Sequence, residues 1–223
     1  MNRRKILEAI VTSALAMIGL CLPAQGQNSS RVAFWKGELD VRQFNFSYAV
    51  GVHDKSHVVR SVGLWKTTYN LYQNAQGVAR EDLSYVNRNR SLGGPLDVKL
   101  FNYSKGEGLI FDKDSPQAIE GSLTPPVRGN AIGQRTILGF SCAGKEYRWK
   151  TSQGATVDLQ SWRATNSTFL VPLLEVEYFS DDTGALLSLT VQVVSHLMPA
   201  SAIPQSLFQP PAGLRVVRVP MVR

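Results

Sequence analysis

Four short segments of this chain carry residue types that could do chemistry, and none has the complete spacing of a familiar site. Residues 139–144 place a serine between two glycines, but the second glycine comes one position too late for a nucleophile elbow. His53 and His57 flank Asp54, a set that could bind zinc on a helix. Here the set lies in a polar stretch typical of a turn, so solvated side chains are the favoured interpretation and a metal site is the alternative.

The other two segments also favour structural roles. Asp181 and Asp182 precede Thr183 and Gly184, which is typical of a hairpin turn rather than of paired catalytic carboxylates. The glycine-rich residues 106–108 are not followed by the lysine and hydroxyl residue of a phosphate loop. Cys142 lies in an apolar stretch, which favours a buried, inert thiol over a catalytic one. The sequence therefore predicts no catalytic residues, no metal site and no cofactor.

The first 26 residues have the organisation of a secretory signal. Arg3, Arg4 and Lys5 give a positive start, and the apolar run over 9–22 ends in small residues suited to cleavage near Gly26. The run is shorter than the roughly 20 residues that a membrane span needs. We therefore expect a periplasmic or secreted protein, with a retained anchor as the alternative. The export route, general secretory or twin-arginine, stays open.

Removal of that signal would leave residues 27–223, a length suited to one domain with a sizeable core. Cys142 would then be the one cysteine in the chain, so no internal disulfide would form. The whole chain has a formal net charge of +7, but acidic and basic residues are interleaved. Nucleic-acid binding needs a concentrated basic footprint. We therefore expect no nucleic-acid partner.

Apolar residues recur at every second position through most of the remaining chain. Phe44, Phe46 and Tyr48 form one such row, and Trp65, Tyr69 and their neighbours form another. Turn signals at 74–77, 104–108 and 180–184 separate these rows. Together they predict an antiparallel β meander. Helix signals are few after the signal: 31–39 suggests a short amphipathic helix, and 201–208 allows one turn.

Residues 112–135 interrupt this pattern. The segment contains Pro116, Pro125 and Pro126, together with several glycines. Proline and glycine are the strongest local breakers of regular structure. The composition predicts a long loop across one end of the sheet, a kind of segment that is often functional.

The last third of the chain contains an ordered set of short motifs: residues 137–142, Tyr147-Arg148, Trp162, Val171-Pro172-Leu173, Asp182-Thr183-Gly184 and the tail at 206–213. In this order they resemble the C-terminal half of the LolA/LppX-like families of secreted bacterial proteins. These families include periplasmic lipoprotein carriers and the regulator RseB. The hairpin over 67–81 also resembles that of an uncharacterised group, although Asn74-Ala75 departs from the group's pattern.

The resemblance implies a mainly β (α+β) fold: a strongly curved antiparallel sheet, an unclosed half-barrel with a few short helices or loops as its lid. It also implies a non-catalytic carrier that binds an apolar ligand, such as a lipid or a lipoprotein acyl chain. The alternative is an RseB-like sensor that docks a membrane-associated protein partner through the sheet. The aromatic and leucine rows supply the expected lining of a ligand cavity, with a filled sandwich core as the other interpretation: Phe44, Phe46, Tyr48, Trp65, Tyr69, Tyr147, Trp149, Trp162, Leu187 and Leu189.

Overall fold

The structure is a computed structural model that describes residues 34–48, 59–87 and 96–221. The predicted signal at 1–26 and the residues His53, Asp54 and His57 lie outside this part of the chain. The described strands are β1 Phe34–Tyr48, β2 Val59–Gln73, β3 Val78–Val86, β4 Val98–Asn102, β5 Glu107–Phe111, β6 Gln117–Ser122, β7 Asn130–Ile137, β8 Phe140–Lys150, β9 Thr156–Ala164, β10 Leu174–Ser180, β11 Leu186–Ala200 and β12 Arg215–Met221. A short 3₁₀ helix over Gln205–Phe208 fits the single turn predicted there.

All of these strands belong to one sheet, in the order β12-β6-β5-β4-β3-β2-β1-β11-β10-β9-β8-β7. Neighbouring strands are antiparallel, except that β12 runs parallel to β6. The two outermost strands, β12 and β7, do not pair with each other, so the sheet is not closed into a barrel. The prediction of a mainly β, unclosed, antiparallel sheet is therefore confirmed. Within the described ranges, no helix has the length and hydropathy needed to span a bilayer.

The sheet is strongly curved. Arg163 on β9 places its guanidinium carbon 5.2 Å from the ring centroid of Tyr103, which follows β4. Between β4 and β9 lie β3, β2, β1, β11 and β10. At a strand spacing of about 4.8 Å, a flat sheet would hold β4 and β9 about 29 Å apart. The sheet must therefore curl until its two flanks meet across one face, which we call the inner face.

The strand registers assign side chains to the two faces. Leu39 pairs with Tyr69 on β2 and with Val194 on β11, and all three lie on the inner face. Phe44 pairs with Leu64 and with Leu189, and this row lies on the opposite, outer face. Because alternate residues of a strand point to opposite sides, these pairs fix the facing of the regular stretches of the central strands.

The predicted helix over 31–39 is wrong for the part that the structure describes. Residues from Phe34 onward form the start of β1, which pairs with both β2 and β11. Trp35 and Leu39 are buried, while the backbone of Gly37 packs closely on that of β11. A Cβ at Gly37 would lie 3.2 Å from the carbonyl oxygen of Ser195. Two flanking strands thus outweigh a weak local helical pattern.

The predicted long loop over 112–135 is also wrong. The segment contains β6 and the greater part of β7, which lie on opposite flanks of the sheet. Pro116 precedes the first residue of β6, and Pro125 and Pro126 lie in the connection over 123–129. The prolines therefore lie outside the strands, at their ends, where a missing backbone N–H is tolerated. In the same region, a hairpin turn at Leu138 and Gly139, which have φ angles of 49° and 79°, joins β7 to β8.

Residues 165–173, which we call the strap, cross one end of the curved sheet between β9 and β10. The side-chain amide of Gln73 holds the strap: its Nε2 donates to the Thr168 carbonyl at 2.7 Å, and its Oε1 accepts from the Leu170 N–H at 2.7 Å. The Trp35 indole donates to Thr168 Oγ1 at 3.0 Å, and its ring meets Phe169 edge to face. These contacts bury Phe169 almost completely and close this end of the inner face.

On the outer face, Trp162 lies flat across Gly144 of the neighbouring strand. A Cβ at Gly144 would lie 2.5 Å from the indole ring. Arg135 of β7 stacks its guanidinium 3.7 Å from the centroid of the same ring. The missing side chain at Gly144 therefore makes room for the tryptophan and for the cation above it.

We predict that Gly144→Ala lowers the free energy of unfolding by about 1–3 kcal/mol, because the new methyl group overlaps the Trp162 ring. The matched control is Gly63→Ala on β2, where no atom lies within 4 Å of the new Cβ. That control is expected to change stability by less than about 1 kcal/mol. Urea unfolding of both variants measures the difference, and equal midpoints would contradict this account of Gly144.

Candidate functional site

The inner face encloses a cavity of about 360 Å³. One wall is formed by β8 and β9, and the other by the turn after β4 and the connection over 123–129. The lining residues combine apolar and aromatic groups with hydroxyls and two cations: Tyr103, Gly106, Leu123, Thr124, Pro125, Ala143, Lys145, Tyr147, Ser161, Arg163, Ala164 and Thr165.

Strand alternation and one glycine shape this cavity. Ala143, Lys145 and Tyr147 occupy every second position of β8 and pair with Arg163, Ser161 and Leu159 of β9. The backbone of Gly129 lies so close to the Tyr147 ring that a Cβ would approach it to 2.5 Å. The 123–129 connection thus runs in contact with Tyr147 and holds the second wall against the first.

The cavity lining is cationic. Lys145 and Arg163 contribute two positive charges, and the lining residues that the structure describes include no aspartate, glutamate, histidine or cysteine. The Arg163 guanidinium donates to the Leu170 carbonyl of the strap at 3.2 Å and stacks toward Tyr103. Because one of its five N–H donors is used in this way, the others remain for water or a ligand. The chemistry available is binding of an anion beside an apolar surface.

A smaller cavity of about 30 Å³ adjoins the first and shares Tyr103, Leu123 and Arg163 with it. Glu81 of β3 and Glu175 of β10 contribute to its lining from opposite flanks of the sheet. Its volume is sufficient for about one or two water molecules. The inner face is therefore polar at its centre, in contrast to the apolar interior that the sequence predicts.

Beside this small cavity lies a buried ion pair. Lys99 Nζ is 3.2 Å from Glu81 Oε2 and 4.3 Å from the centroid of the Tyr69 ring. Glu81 is only 2% exposed and Lys99 only 8%. The geometry at Glu81 Oε2 is that of an ion pair, since no described donor reaches this oxygen in good hydrogen-bond geometry. The cluster joins β2, β3 and β4 across their inner faces.

Burial and charge act in opposite directions on the pKa values of this cluster. Burial raises the pKa of the Glu81 carboxyl, against the pull of Lys99. For Lys99 itself burial acts downward, but the Glu81 carboxylate and the Tyr69 hydroxyl together raise the pKa of the ammonium. Burial also raises the pKa of Tyr69. The Lys99 ammonium faces both an anion and an aromatic ring, and both contacts favour its charged form.

Four of the ten predicted lining residues lie on the inner face. Trp65 pairs with Gln43 and Tyr69 with Leu39, while Tyr147 and Trp149 pair with the inward residues Leu159 and Val157. Among these four, only Tyr147 lines the large cavity. Tyr69 is buried in the apolar core and contacts Lys99.

Four of the other predicted residues lie on the outer face, so the structure does not bring the ten together. Phe44 and Leu189 form one outer row, and Phe46 follows by alternation. Leu187 lies where the register between β10 and β11 shifts, so alternation does not assign its face. Trp162 pairs with the outward Leu174. Tyr48 ends β1, and its side chain lies outside the described ones. The expected common cavity of these residues is thus corrected: Leu189 and Trp162 are buried in the apolar core and lie on the opposite side of the sheet from Tyr69.

Sequence reasoning missed the charged residues of the inner face. The sequence analysis assigned no role to Glu81, Lys99, Lys145 and Arg163, which all belong to strands. One signal was available for the ion pair: Glu81 shares a face with the apolar Ala79 within β3, which is unusual for a carboxylate without a partner.

Two other candidate segments, at Cys142 and at Asp181, make contacts within the fold. Cys142 is buried, its Sγ lies 3.4 Å from the Phe140 carbonyl, and burial raises the pKa of its thiol. The Asp181 carboxylate accepts from the Ala185 N–H and the Thr183 hydroxyl, each at 2.7 Å, and so stabilises the predicted hairpin turn. In the described ranges no three His, Cys, Asp or Glu side chains are grouped so that they could hold a metal ion.

We predict that Lys99→Met lowers the free energy of unfolding by about 3–5 kcal/mol, because it leaves the buried Glu81 carboxylate without a counter-ion. The double variant Glu81→Leu with Lys99→Met should recover most of that loss. Lys105→Met, at an exposed turn, is the control and should stay within about 0.5 kcal/mol of the parent protein. Denaturant unfolding distinguishes these cases, and a stable Lys99→Met single variant would refute the buried pair.

The raised pKa of Lys99 also predicts a pH dependence. Its contribution to stability is fully present below the unfolded pKa of about 10.4 and is lost as the pH rises through the higher folded value. We expect the unfolding free energy to fall more steeply above about pH 10.4 in the parent than in the Glu81→Leu, Lys99→Met double variant. Parallel slopes of the two proteins in urea titrations would be the contrary result.

Comparison with known proteins gives no family for this chain. No family model matches it, and no curated protein sequence matches it. An uncharacterized conserved protein from Thermus thermophilus aligns with 94% of this chain and 99% of its own, at 13% identity and a TM-score of 0.40. A DUF1329 family protein from Desulfovibrio piger aligns with 84% of this chain and 93% of its own, at 13% identity and a TM-score of 0.26. Since both values are low, membership of the LolA/LppX-like families stays a prediction.

Proposed function

We propose that this protein is a non-catalytic binding or carrier protein for a ligand with a large apolar part, such as a lipid or an acyl chain. The ligand would occupy the inner-face cavity between β8, β9 and the 123–129 connection. The observation that supports this proposal most directly is the cavity of about 360 Å³, a volume within the range of about 300–1,000 Å³ that is usual for small-molecule sites.

The lining supports capture without chemistry. Leu123, Pro125, Ala143 and Tyr147 offer an apolar surface, and each methylene buried there contributes about 0.8 kcal/mol. Among the described residues, neither histidine nor a carboxylate, the commonest general bases, lines the cavity. The apolar surface and the two cations are suited to a binding role.

Two features of the sequence, a signal-like N-terminus and a family resemblance, also support this proposal. The signal-like residues 1–26 would deliver the protein to the periplasm or the exterior, where lipid carriers act between membranes. The motifs of the last third resemble the LolA/LppX-like families, and an open curved sheet is the fold that this resemblance implies. Both points support a periplasmic carrier of the same general kind.

The experiment is native mass spectrometry of the protein purified from its source organism. We expect a co-purifying mass in the lipid range, and we expect Ala143→Phe to reduce its occupancy at least tenfold by filling the cavity. Ala202→Phe, at an exposed position away from the cavity, should keep the adduct. Circular dichroism checks that both variants fold. An adduct that survives Ala143→Phe unchanged would exclude this cavity as its site.

A second candidate function is a sensor that docks a protein partner through the sheet. The outermost strand β12 favours it, because Val216 and Val217 point to opposite sides and are 45% and 48% exposed. An exposed apolar edge strand can pair with an added strand. In the same experiment, a protein without a lipid adduct that captures a membrane protein through β12 would favour this second function over the first.

A further inference from the structure

The hydroxyl of Ser161 is an unpartnered polar group in the wall of the cavity. Ser161 is 4% exposed, and its Oγ has no hydrogen-bond partner among the described residues. The residue lines the large cavity and pairs with Lys145 on one side and Glu175 on the other. Buried hydroxyls are nearly always hydrogen-bonded, so an unpaired one at a cavity points to water or a ligand as its partner.

The two cations of the cavity flank this hydroxyl. Lys145 lies directly across from Ser161 on β8, and Arg163 lies two residues further along β9 on the same face. The strap carbonyl of Leu170 and the Tyr103 ring fix the guanidinium of Arg163 at the wall. An ammonium, a guanidinium and a hydroxyl on one surface form a set of donors suited to a carboxylate or phosphate group.

The carboxylates of the inner face lie to the other side of this set. Glu175 and Glu81 line the small cavity, and Glu81 is paired with Lys99. The large cavity has hydroxyls at Thr124 and Thr165 and apolar groups at Leu123 and Pro125, but no acidic residue. Its charge is therefore complementary to an anion, and its remaining surface is complementary to a hydrocarbon.

We propose that the ligand is an anionic amphiphile, whose carboxylate or phosphate is bound by Lys145, Arg163 and the Ser161 hydroxyl. Its apolar part lies against Leu123, Pro125, Ala143 and Tyr147. This inference rests on the proposed binding function and specifies its ligand class. Uncharged lipids of the same chain length would form no charge-assisted hydrogen bonds with Lys145 and Arg163, whose exposed side chains would stay solvated by water, and they would therefore bind more weakly.

Calorimetric titration of the mature protein with four probes tests this inference. The probes are laurate, dodecyl phosphate, dodecanol and inorganic phosphate. We expect the two anionic chains to bind at least tenfold more tightly than dodecanol, which has the same chain without the charge. Inorganic phosphate should not displace them, because it lacks the apolar part. The ranking of laurate against dodecyl phosphate identifies which anionic group the site prefers.

Three variants locate the anion site. Lys145→Gln, Arg163→Gln and Ser161→Ala should each weaken laurate or dodecyl phosphate binding by about tenfold and leave dodecanol binding unchanged. Lys150→Gln, an exposed lysine at the end of the same strand, is the matched control and should have no effect. Glutamine retains most of the side-chain length, so loss of folding is not expected.

The outcomes separate the two proposals. If dodecanol binds as tightly as the anionic chains, the proposal of an anionic headgroup is wrong and an apolar carrier remains. The same conclusion follows if Lys145→Gln and Lys150→Gln bind laurate with equal affinity. Displacement of laurate by an equal concentration of inorganic phosphate would overturn the amphiphile in favour of a simple anion site. Failure of every chain probe to bind would overturn the proposed function itself.

Discussion

Strand β1 pairs with β2 on one side and with β11 on the other, and these two registers determine which side chains share a face. The three strands have 15 residues each and form the centre of the sheet. A slip of one residue would exchange the inner row of Leu39 and Tyr69 for the outer row of Phe44 and Leu64. The ion pair, the cavity and the apolar core all depend on this alignment.

The curvature of the sheet determines which charged side chains come together on the inner face. The flanks approach each other across the inner face, so Arg163 meets Tyr103 and Glu81 comes near Glu175. Charges brought together in this way need partners, and Lys99 supplies one for Glu81. Lys145 and Arg163 have no carboxylate in their shared cavity lining. Structural charge pairing thus accounts for one part of the inner face and leaves the other part available for a ligand.

The strands themselves were largely predictable from the sequence. The predicted turns at 74–77 and 180–184 form between strands, where Asn74 and Asp181 accept backbone hydrogen bonds. Period-two alternation and turn residues are local signals, and they are sufficient for such elements. The helix predicted over 31–39 failed because pairing with two neighbouring strands is a long-range effect that a local pattern does not contain.

The candidate site was much less predictable. Alternation shows that Phe44 and Phe46 share a face, but it does not show whether that face is shared with Trp65 on the next strand. That relation depends on register, and the concave side depends on how the whole sheet bends. The Ser161 hydroxyl and the strap contacts of Gln73 have no sequence signature at all, since both arise from residues far apart in the chain. Among the described members of the ten expected residues, Tyr147 alone lines the cavity of about 360 Å³.

The proposed ligand site lies on the inner face of the sheet. A crystal structure of residues 27–223 grown with a fatty acid brominated at the end of its chain would locate the ligand, because anomalous scattering identifies the bromine. We expect a bromine peak in the inner-face cavity beside Ala143 and Tyr147. A bromine peak on the outer face, beside Phe44 and Leu189, would contradict it.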